Sequence, residues 1–468
     1  MLGRVFKAYD IRATYPNPLN EATAWKIGYG GGRFLLEEAA AAGETDPMMK
    51  HVVVGRDMRK SSPKLCESLT EGLRTYGAHV IDVGEVDTPF IYFAINYLDC
   101  AGGFQTTASH NPANYNGFKI SGRAAVPIGQ DTGLGEISKY AAMADQIRTK
   151  GVAEMTGRIE QRDLWDGYQR HVLRFLNLGD RSFKVVVDAS NGMAGTMMRK
   201  VFKGEKNLKL TELNFDNTTG EFVHDPNPLV AANLVELREK VRRTKADLGV
   251  CFDGDADRCI FVDENAEIIG CDHLTALLAR HFLEKNPGAS IVYDLRSSKA
   301  VEEEIKAAGG VPVQSRVGHV FMKQVLREHK AVFGGELSGH FYFRDNFNAD
   351  SGAIVFATVL TMLAGEKKKL GELIKPIKRY AQSGEINFEN EEKESALEEL
   401  AEHFADRGEI TRLDGVTVDC FKREGWWMNV RQSNTEPLLR LNLEARDRAT
   451  SERMVEQVAP MLGKRVEH

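Results

Sequence analysis

Three segments of the chain repeat one pattern, in which an apolar strand is followed by a polar or glycine-rich turn, a helix and a second strand. The paired strands are predicted at 51–56 with 78–83, at 184–188 with 208–215, and at 290–294 with 310–314. Continuous runs of valine and isoleucine are typical of strands buried on both faces. The pattern therefore predicts three related α/β domains, each with a mixed or mainly parallel sheet.

The last part of the chain has a different pattern. Close-set strands are predicted at 409–418, 425–430 and 437–443, after a charged helix over 391–407. Such a pattern is typical of an α+β domain. A helix over 373–382 precedes it, in a charge-rich passage that we interpret as a linker. We therefore expect four domains, over residues 1–155, 156–266, 267–383 and 384–468.

Composition excludes several classes of protein. The 468 residues include 61 basic and 67 acidic side chains, which gives a net charge of −6. This net charge does not attract nucleic acid or an anionic membrane. An anionic substrate must therefore be bound by local contacts. The longest near-continuous apolar run, 353–364, is too short to cross a bilayer and predicts a buried helix. Without a signal peptide or C-x-x-C spacing, the six cysteines are predicted to be buried free thiols. We expect a cytoplasmic protein and slightly favour a monomer.

Residues 253–258, with the sequence DGDADR, place the carboxylates of Asp253, Asp255 and Asp257 close together after an apolar run. Two unit charges roughly 4 Å apart interact by about 4 kcal/mol at an effective dielectric near 20, so the sequence favours a bound cation over a solvated acidic turn. Oxygen ligands indicate a hard divalent ion such as Mg²⁺. An EF-hand calcium loop is excluded, because it needs glycine at its sixth position, where the chain has Arg258.

A second polar loop, residues 106–112, follows a predicted strand over 101–105 and places Ser109 beside His110 among small residues. A loop bounded by proline and asparagine can present a serine hydroxyl as a nucleophile. Taken alone, such a segment is more often a turn with an exposed serine. Together with the acidic loop, the nucleophile is the favoured interpretation.

Four segments of the chain resemble the α-D-phosphohexomutase superfamily, in the same order and over essentially the whole length. They are the serine loop, the acidic loop, GGELSGH at 334–340 and RQSNTEP at 431–437. The third resembles the sugar-reading loop of the phosphomannomutase and phosphoglucomutase branch, whereas phosphoglucosamine mutases typically carry Gln in place of Leu337. The resemblance implies four domains around a central cleft. It also implies interconversion of hexose 1-phosphate and hexose 6-phosphate, of mannose or glucose, through a phosphoserine and a hexose 1,6-bisphosphate that also serves as activator.

The resemblance further implies roles for individual residues. Ser109 is expected to carry the phosphoryl group and to bind Mg²⁺ together with Asp253, Asp255 and Asp257. The remaining catalytic residues are expected to be His110 and Lys119, for proton transfer, with Arg258 and Arg12. Substrate binding is expected from Tyr9, Arg296, Arg316, Gly318, His319, Glu336, Ser338, Arg431, Ser433, Asn434 and Thr435. Within that set, Glu336 and Ser338 are expected to bind sugar hydroxyls, and residues 431–435 form a donor-rich segment for the phosphate that is not transferred.

Several alternatives remain open from the sequence. A phosphoglucosamine mutase is the nearest other enzyme, and a metal-dependent sugar phosphatase or a non-catalytic sugar-phosphate binding protein could share the same loops. For Arg59, a role in the site and a structural pair with Asp57 are equally favoured.

Overall fold

The computed structural model describes residues 2–7, 9–149, 157–433 and 437–466. The chain divides into two compact units. Unit 1 comprises Met1–Ile269 with Ser338–Gly371, and unit 2 comprises Gly270–Leu337 with Glu372–His468. All six cysteines are buried with free thiols. Within the described ranges, every helix is too short or too polar to span a membrane.

The first sheet of unit 1 is mixed, as the sequence predicts. Its elements are β1 (Ile11–Thr14), α1 (Glu21–Ala41), β2 (His51–Arg56), α2 (Ser62–Tyr76), β3 (His79–Glu85), α3 (Thr88–Leu98), β4 (Gly102–Thr106), β5 (Tyr115–Gly122), α4 (Leu134–Thr149) and β6 (Ile159–Gln161). The strand order is β1-β5-β4-β2-β3-β6, in which β4, β2, β3 and β6 are parallel, β5 is antiparallel to β4, and β1 is antiparallel to β5. Val52, Val53 and Val54 of β2 are all fully buried, as expected for a strand covered on both faces.

The second sheet of unit 1 is also mixed. Its elements are α5 (Trp165–Leu173), β7 (Phe183–Asp188), α6 (Ala194–Val201), β8 (Leu208–Leu213), α7 (Val235–Thr244), β9 (Leu248–Phe252) and β10 (Cys259–Val262). The strand order is β10-β9-β7-β8, with only the β9–β10 pair antiparallel. The acidic loop joins β9 to β10, just as the serine loop joins β4 to β5. Both loops therefore leave the carboxyl end of a buried strand.

The next part of the chain belongs first to unit 2 and then to unit 1. Its elements are α8 (Cys271–Lys285), β11 (Ser290–Asp294), α9 (Lys299–Ala307), β12 (Val311–Ser315), α10 (His319–Glu328), β13 (Phe333–Gly335), β14 (Phe341–Phe343), β15 (Ala349–Asp350), α11 (Gly352–Gly365) and α12 (Leu370–Ile374). In unit 2, β11 pairs in parallel with β12 and with β13. In unit 1, β14 and β15 are antiparallel, and the almost wholly buried α11 confirms the helix predicted over 353–364.

The remainder of unit 2 is an antiparallel sheet with two longer helices against it. Its elements are β16 (Ala381–Glu389), α13 (Lys393–Phe404), β17 (Glu409–Thr411), β18 (Val416–Asp419), α14 (Phe421–Glu424), β19 (Trp426–Gln432), β20 (Leu438–Ala445), α15 (Arg448–Leu462) and β21 (Lys464–Val466). The strand order is β17-β18-β19-β20-β16-β21. Buried residues of α13 and α15 share one core with this sheet, which confirms the predicted α+β domain.

Two predicted elements of this region are wrong. The helix expected over 373–382 is absent, because α12 ends at Ile374 and β16 already begins at Ala381. Pro376, which cannot donate the backbone hydrogen bond of a helix interior, lies between them. The strand expected over 409–418 is instead the antiparallel pair β17 and β18. Gly415, with φ 68°, lies immediately before β18 and permits the tight turn between them.

Candidate active site

Ser109 lies at the centre of the serine loop in a backbone conformation that is uncommon for a residue other than glycine. Its φ is 51°, in the left-handed region. Its amide donates a hydrogen bond of 2.9 Å to Oγ1 of Thr107, which stabilises the turn. The side chain is fully buried, and its Oγ donates to Oδ2 of Asp253 at 2.8 Å. The loop therefore directs the hydroxyl at the first acid of the acidic loop.

The acidic loop brings three buried carboxylates together. Asp253, Asp255 and Asp257 each offer one oxygen, and these oxygens lie within 4.8 Å of one another. Gly254 permits the close approach of this loop to the serine loop, because a Cβ there would lie 2.5 Å from the carbonyl oxygen of Ser109. Only glycine can occupy this position without displacing one of the two loops.

The donor set of this cluster fits a hard divalent cation. Oδ1 of Asp255 is buried without a hydrogen-bond partner among the described residues, and a buried carboxylate oxygen without a partner is costly. Burial, together with Asp255 and Asp257, raises the pKa of Asp253 well above its usual range. Burial alone would also raise the pKa of Asp257, but Lys119, His340 and Arg258 outweigh it and hold that pKa well below its usual range. Mg²⁺, which prefers oxygen ligands, matches this arrangement.

Lys119, on β5, is the cation nearest to two of the acids. Its Nζ donates to Oδ2 of Asp255 at 2.8 Å and also bonds Asp257. Burial would lower the pKa of Lys119, but Asp255, Asp257 and Asp253 raise it above the value for a free lysine. Lys119 is therefore held in its charged form beside the serine loop.

Arg258 and His340 connect the acidic loop to the segment that contains Ser338. The amide of Arg258 donates to Oδ1 of Asp253 at 3.2 Å, and its Nε donates to Nε2 of His340 at 3.2 Å. His340 also lies 3.4 Å from Oδ1 of Asp257, while its Nδ1 is 2.8 Å from Oγ of Ser338. The structure thus adds His340 to the site. Its place two residues after Ser338 in the same motif is the only sequence signal for it.

The remaining predicted catalytic residues also lie near the serine loop. Nδ1 of His110 is 3.4 Å from Oγ of Ser109. Burial, reinforced by the charges of Arg258, Arg12 and Lys119, holds the pKa of His110 well below its usual value.

Arg12 contacts the serine loop from the N-terminal segment of the chain. It donates to Oδ1 of Asn111 at 2.6 Å and pairs with Asp10. Tyr9, which precedes Asp10, is half-buried.

Arg59 holds the serine loop by hydrogen bonds to its main chain. Its guanidinium is fully buried and paired with Asp57 at 3.0 Å. It donates to the carbonyl oxygens of Ser109, Asn111, Pro112 and Tyr115, at 2.8, 2.7, 2.7 and 3.2 Å. The two interpretations of Arg59 therefore combine, since its structural pair with Asp57 also holds the loop that carries Ser109.

We expect Arg59→Lys to loosen this loop, because lysine lacks the planar fork of donors that guanidinium offers. The free energy of unfolding should fall by about 2 kcal/mol, and kcat should fall about tenfold as Ser109 becomes less precisely oriented. Chemical denaturation and steady-state kinetics measure the two effects. Arg33→Lys is the matched control, because Arg33 is only half-buried and pairs with Glu37 of its own helix, α1. Unchanged stability and kcat in Arg59→Lys would contradict the role of Arg59 in holding the serine loop.

Unit 2 contains most of the residues predicted to bind substrate, and two groups of contacts link some of them. Oε1 of Glu336 accepts the amide of Gly318 at 2.9 Å. Glu385, which the sequence analysis missed, lies 2.8 Å from Nη2 of Arg431 and 3.8 Å from Nη1 of Arg296. A single acid thus stands between two predicted phosphate- or sugar-binding arginines.

The other predicted substrate-binding residues are placed as follows. Arg316 lies over the ring of Phe321 at 4.2 Å, and His319 is the first residue of α10. Ser433 is buried just after β19, and its amide donates a hydrogen bond of 2.8 Å to the carbonyl oxygen of Leu438. Ser338 belongs to unit 1. Asn434 and Thr435 lie outside the described residues.

Comparison with known proteins extends over nearly the whole chain. Family models described as phosphoglucomutase/phosphomannomutase alpha/beta/alpha domains I, II and III match residues 3–147, 166–267 and 271–380, and the C-terminal domain of the same family matches 385–461. The phosphomannomutase of Escherichia coli K12 is 38% identical over 448 residues, 94% of each chain. The phosphohexose mutases of Xanthomonas campestris pv. campestris are 37% identical over 466 residues, 98% of each chain.

A solved structure agrees with these matches. The phosphoglucomutase/phosphomannomutase family protein of Burkholderia thailandensis superposes with a TM-score of 0.86 at 33% identity, over 98% of this chain and 96% of that chain. Proteins with these matches are phosphohexomutases, which are intramolecular phosphotransferases. The chain belongs to the phosphoglucomutase/phosphomannomutase family. The superfamily, fold class and enzyme class predicted from the sequence are thereby confirmed.

Proposed function

We propose that this protein interconverts hexose 1-phosphate and hexose 6-phosphate, with mannose, glucose or both as the hexose, through a phosphoserine at Ser109 and a hexose 1,6-bisphosphate intermediate. The observation that carries the proposal is the 2.8 Å contact between Oγ of Ser109 and Asp253, within a cluster of three buried acids. A hydroxyl in that position can accept and return a phosphoryl group next to a metal ion.

The metal is proposed to be Mg²⁺, bound by Asp253, Asp255, Asp257 and an oxygen on Ser109. When bound, it neutralises charge on the phosphoryl group and polarises the phosphorus. Oδ1 of Asp255, buried without a hydrogen-bond partner among the described residues, supports this assignment. Phosphoryl transfer otherwise depends on positioning and charge neutralisation.

The residues around Ser109 supply that positioning. In the forward step, the bond between Oγ of Ser109 and phosphorus breaks, a bond from phosphorus to a sugar oxygen forms, and the proton of that sugar hydroxyl must leave. His110, with Nδ1 3.4 Å from Oγ of Ser109, is the proposed proton acceptor. Lys119, paired with two acids, is proposed to supply a proton or positive charge. Arg12 and Arg258 are proposed to neutralise charge on the moving group.

The substrate is proposed to be held by the residues that the resemblance implies. Glu336 and Ser338 bind hydroxyls O3 and O4, which have the same configuration in mannose and glucose, so an enzyme that does not bind O2 discriminates weakly between them. Residues 431–435 bind the phosphate that is not transferred. The further substrate contacts are assigned to Tyr9, Arg296, Arg316, Gly318 and His319. The bisphosphate then turns end for end, so that its other phosphate returns to Ser109.

The names of the relatives support this substrate class. The Escherichia coli and Xanthomonas campestris relatives are a phosphomannomutase and phosphohexose mutases. Leu337, in the sugar-reading loop, favours mannose and glucose over glucosamine. The predicted domain boundaries near 155, 266 and 383, the cytoplasmic location and the monomeric state are part of the same proposal.

The test is a direct comparison of substrates. Mannose 1-phosphate, glucose 1-phosphate and glucosamine 1-phosphate are assayed side by side with Mg²⁺ and a trace of glucose 1,6-bisphosphate, which should act as activator by restoring the phosphoserine. We expect formation of the 6-phosphates of mannose and glucose. Preferred turnover of glucosamine 1-phosphate would make the protein a phosphoglucosamine mutase. Release of inorganic phosphate would indicate a phosphatase, and binding without turnover a non-catalytic protein.

A further inference from the structure

Thr88, the first residue of α3, makes two hydrogen bonds to Asp255. Its Oγ1 donates to Oδ2 of Asp255 at 2.5 Å, and its amide donates to the main-chain carbonyl of Asp255 at 3.0 Å. Both residues are fully buried. The start of α3 therefore fixes the backbone and the side chain of one acid of the cluster.

These bonds leave the two carboxylate oxygens of Asp255 in different states. Oδ2 accepts from Thr88 and also from Nζ of Lys119, at 2.8 Å. Oδ1 is buried without a partner among the described residues. Because Thr88 and Lys119 both donate to the same carboxylate oxygen, a rotation of the carboxylate away from its present orientation would break two hydrogen bonds. The carboxylate is thus held with Oδ1 free to bind a cation.

Thr88 itself is held rigidly. The preceding residue, Asp87, is fully buried and accepts a hydrogen bond of 2.7 Å from the hydroxyl of Tyr168. Pro89 follows Thr88 at the start of α3, where its fixed φ suits the first turn of a helix. Phe90 packs against Tyr168, with ring centroids 4.8 Å apart. The hydroxyl of Thr88 therefore has little freedom to move away from Asp255.

We propose that Thr88 is a positioning residue for the magnesium site, which orients Asp255 so that its Oδ1 binds the ion. The inference rests on the proposed function, because it requires Mg²⁺ at the acidic cluster. Removal of a residue that hydrogen-bonds to a metal ligand and orients it commonly lowers metal affinity about 10- to 100-fold. Thr88 begins α3, between β3 and β4 of the first sheet of unit 1, and Asp255 lies on the loop between β9 and β10 of the second sheet. This bond therefore makes metal binding depend on both parts of unit 1.

The test measures binding of Mg²⁺ directly, by calorimetric titration of the full-length protein. Thr88→Val keeps the shape of the side chain but removes the hydroxyl, and we expect its Kd for Mg²⁺ to rise about tenfold or more. Thr88→Ser keeps the hydroxyl and should stay within about threefold of the unmodified protein. Thr358→Val is the matched control, because Thr358 is a buried threonine of unit 1 whose hydroxyl donates to the carbonyl of Ile354 in its own helix, at 2.8 Å.

The outcomes separate this inference from the proposed function. If Asp255→Asn loses Mg²⁺ while Thr88→Val binds it like the unmodified protein, the positioning role is overturned and the mutase remains. An equal loss of affinity in Thr358→Val would also overturn it, since the effect would then be general. Should Thr88→Val fail to fold, Thr88→Ala takes its place, and unchanged affinity there overturns the role. Failure of the unmodified protein to bind Mg²⁺ would remove the proposed function together with this inference.

Discussion

Replacing Ser109 by alanine should lower mutase activity by about a thousandfold or more, as is usual when a nucleophile is removed. The transferred phosphoryl group then has no acceptor, although the three acids that bind the metal remain in place. The fold should survive, because Arg59 bonds the carbonyl oxygen of Ser109, at 2.8 Å, rather than its side chain. A coupled assay of glucose 6-phosphate formation from glucose 1-phosphate measures the loss.

A second measurement separates loss of the nucleophile from general damage. Incubation with glucose 1,6-bisphosphate should add one phosphoryl group to the unmodified protein and none to Ser109→Ala, as judged by intact mass. Ser121→Ala is the matched control, because Ser121 is also buried and lies on β5 beyond Lys119. It should keep its activity and its phosphorylation. A Ser109→Ala protein that still interconverts the two sugar phosphates at the original rate would contradict the phosphoserine mechanism.

Strands of the α/β sheets were predictable from sequence because burial on both faces leaves a local record. The predicted strand at 51–56 is β2 itself, and that at 290–294 is β11. The hydrophobic pattern does not predict a turn at which a single small residue reverses the direction of the chain. At Gly415 a turn divides one predicted strand into β17 and β18, and the Asp-Gly pair at 414–415 was the available signal.

The residues of the candidate site were also predictable only in part from the sequence. Asp253, Asp255 and Asp257 could be recognised because all three belong to one loop and repel each other unless a cation binds. Residues that act by long-range contacts left no such record. Thr88 meets Asp255 across 167 positions and Arg59 meets Asn111 across 52. In the sequence, a threonine before a proline and an arginine two residues after an aspartate look like ordinary turn residues. Only the tertiary fold brings them to the loops that they hold.

Lys119→Met should produce a second large effect, which depends on the metal. Nζ of Lys119 and the acids Asp255 and Asp257 are nearly inaccessible to solvent, with side-chain exposures of 11%, 0% and 2%. Removing one partner of a buried ion pair typically costs about 3–5 kcal/mol. We therefore expect the free energy of unfolding in the presence of a chelator to fall by about 3 kcal/mol. Activity should fall at least about a hundredfold, because positive charge near the transferred group is lost.

Mg²⁺ should reverse much of this destabilisation. Lys119 and the ion neutralise the same carboxylates, so the lysine opposes metal binding, and a charge at about 4 Å is worth roughly 4 kcal/mol at an effective dielectric of 20. The single hydrogen bond by which Lys119 orients Asp255 is worth only about 1 kcal/mol. The charge term therefore decides the sign, and Lys119→Met should bind Mg²⁺ more tightly than the unmodified protein. Saturating Mg²⁺ should then bring the two free energies of unfolding to within about 1 kcal/mol, since a ligand stabilises the form that binds it.

Lys60→Met is the control for removing a lysine from an ion pair. Lys60 and its partner Glu221 are mostly exposed, at 66% and 62%, so the pair should contribute less than about 1 kcal/mol and should not respond to Mg²⁺. Denaturation with and without Mg²⁺, joined to calorimetric titration of both variants, compares the two lysines. Weaker Mg²⁺ binding by Lys119→Met would mean that orientation of Asp255 outweighs charge. An equal loss of stability in both variants would mean that the acids around Lys119 are not held as charged groups.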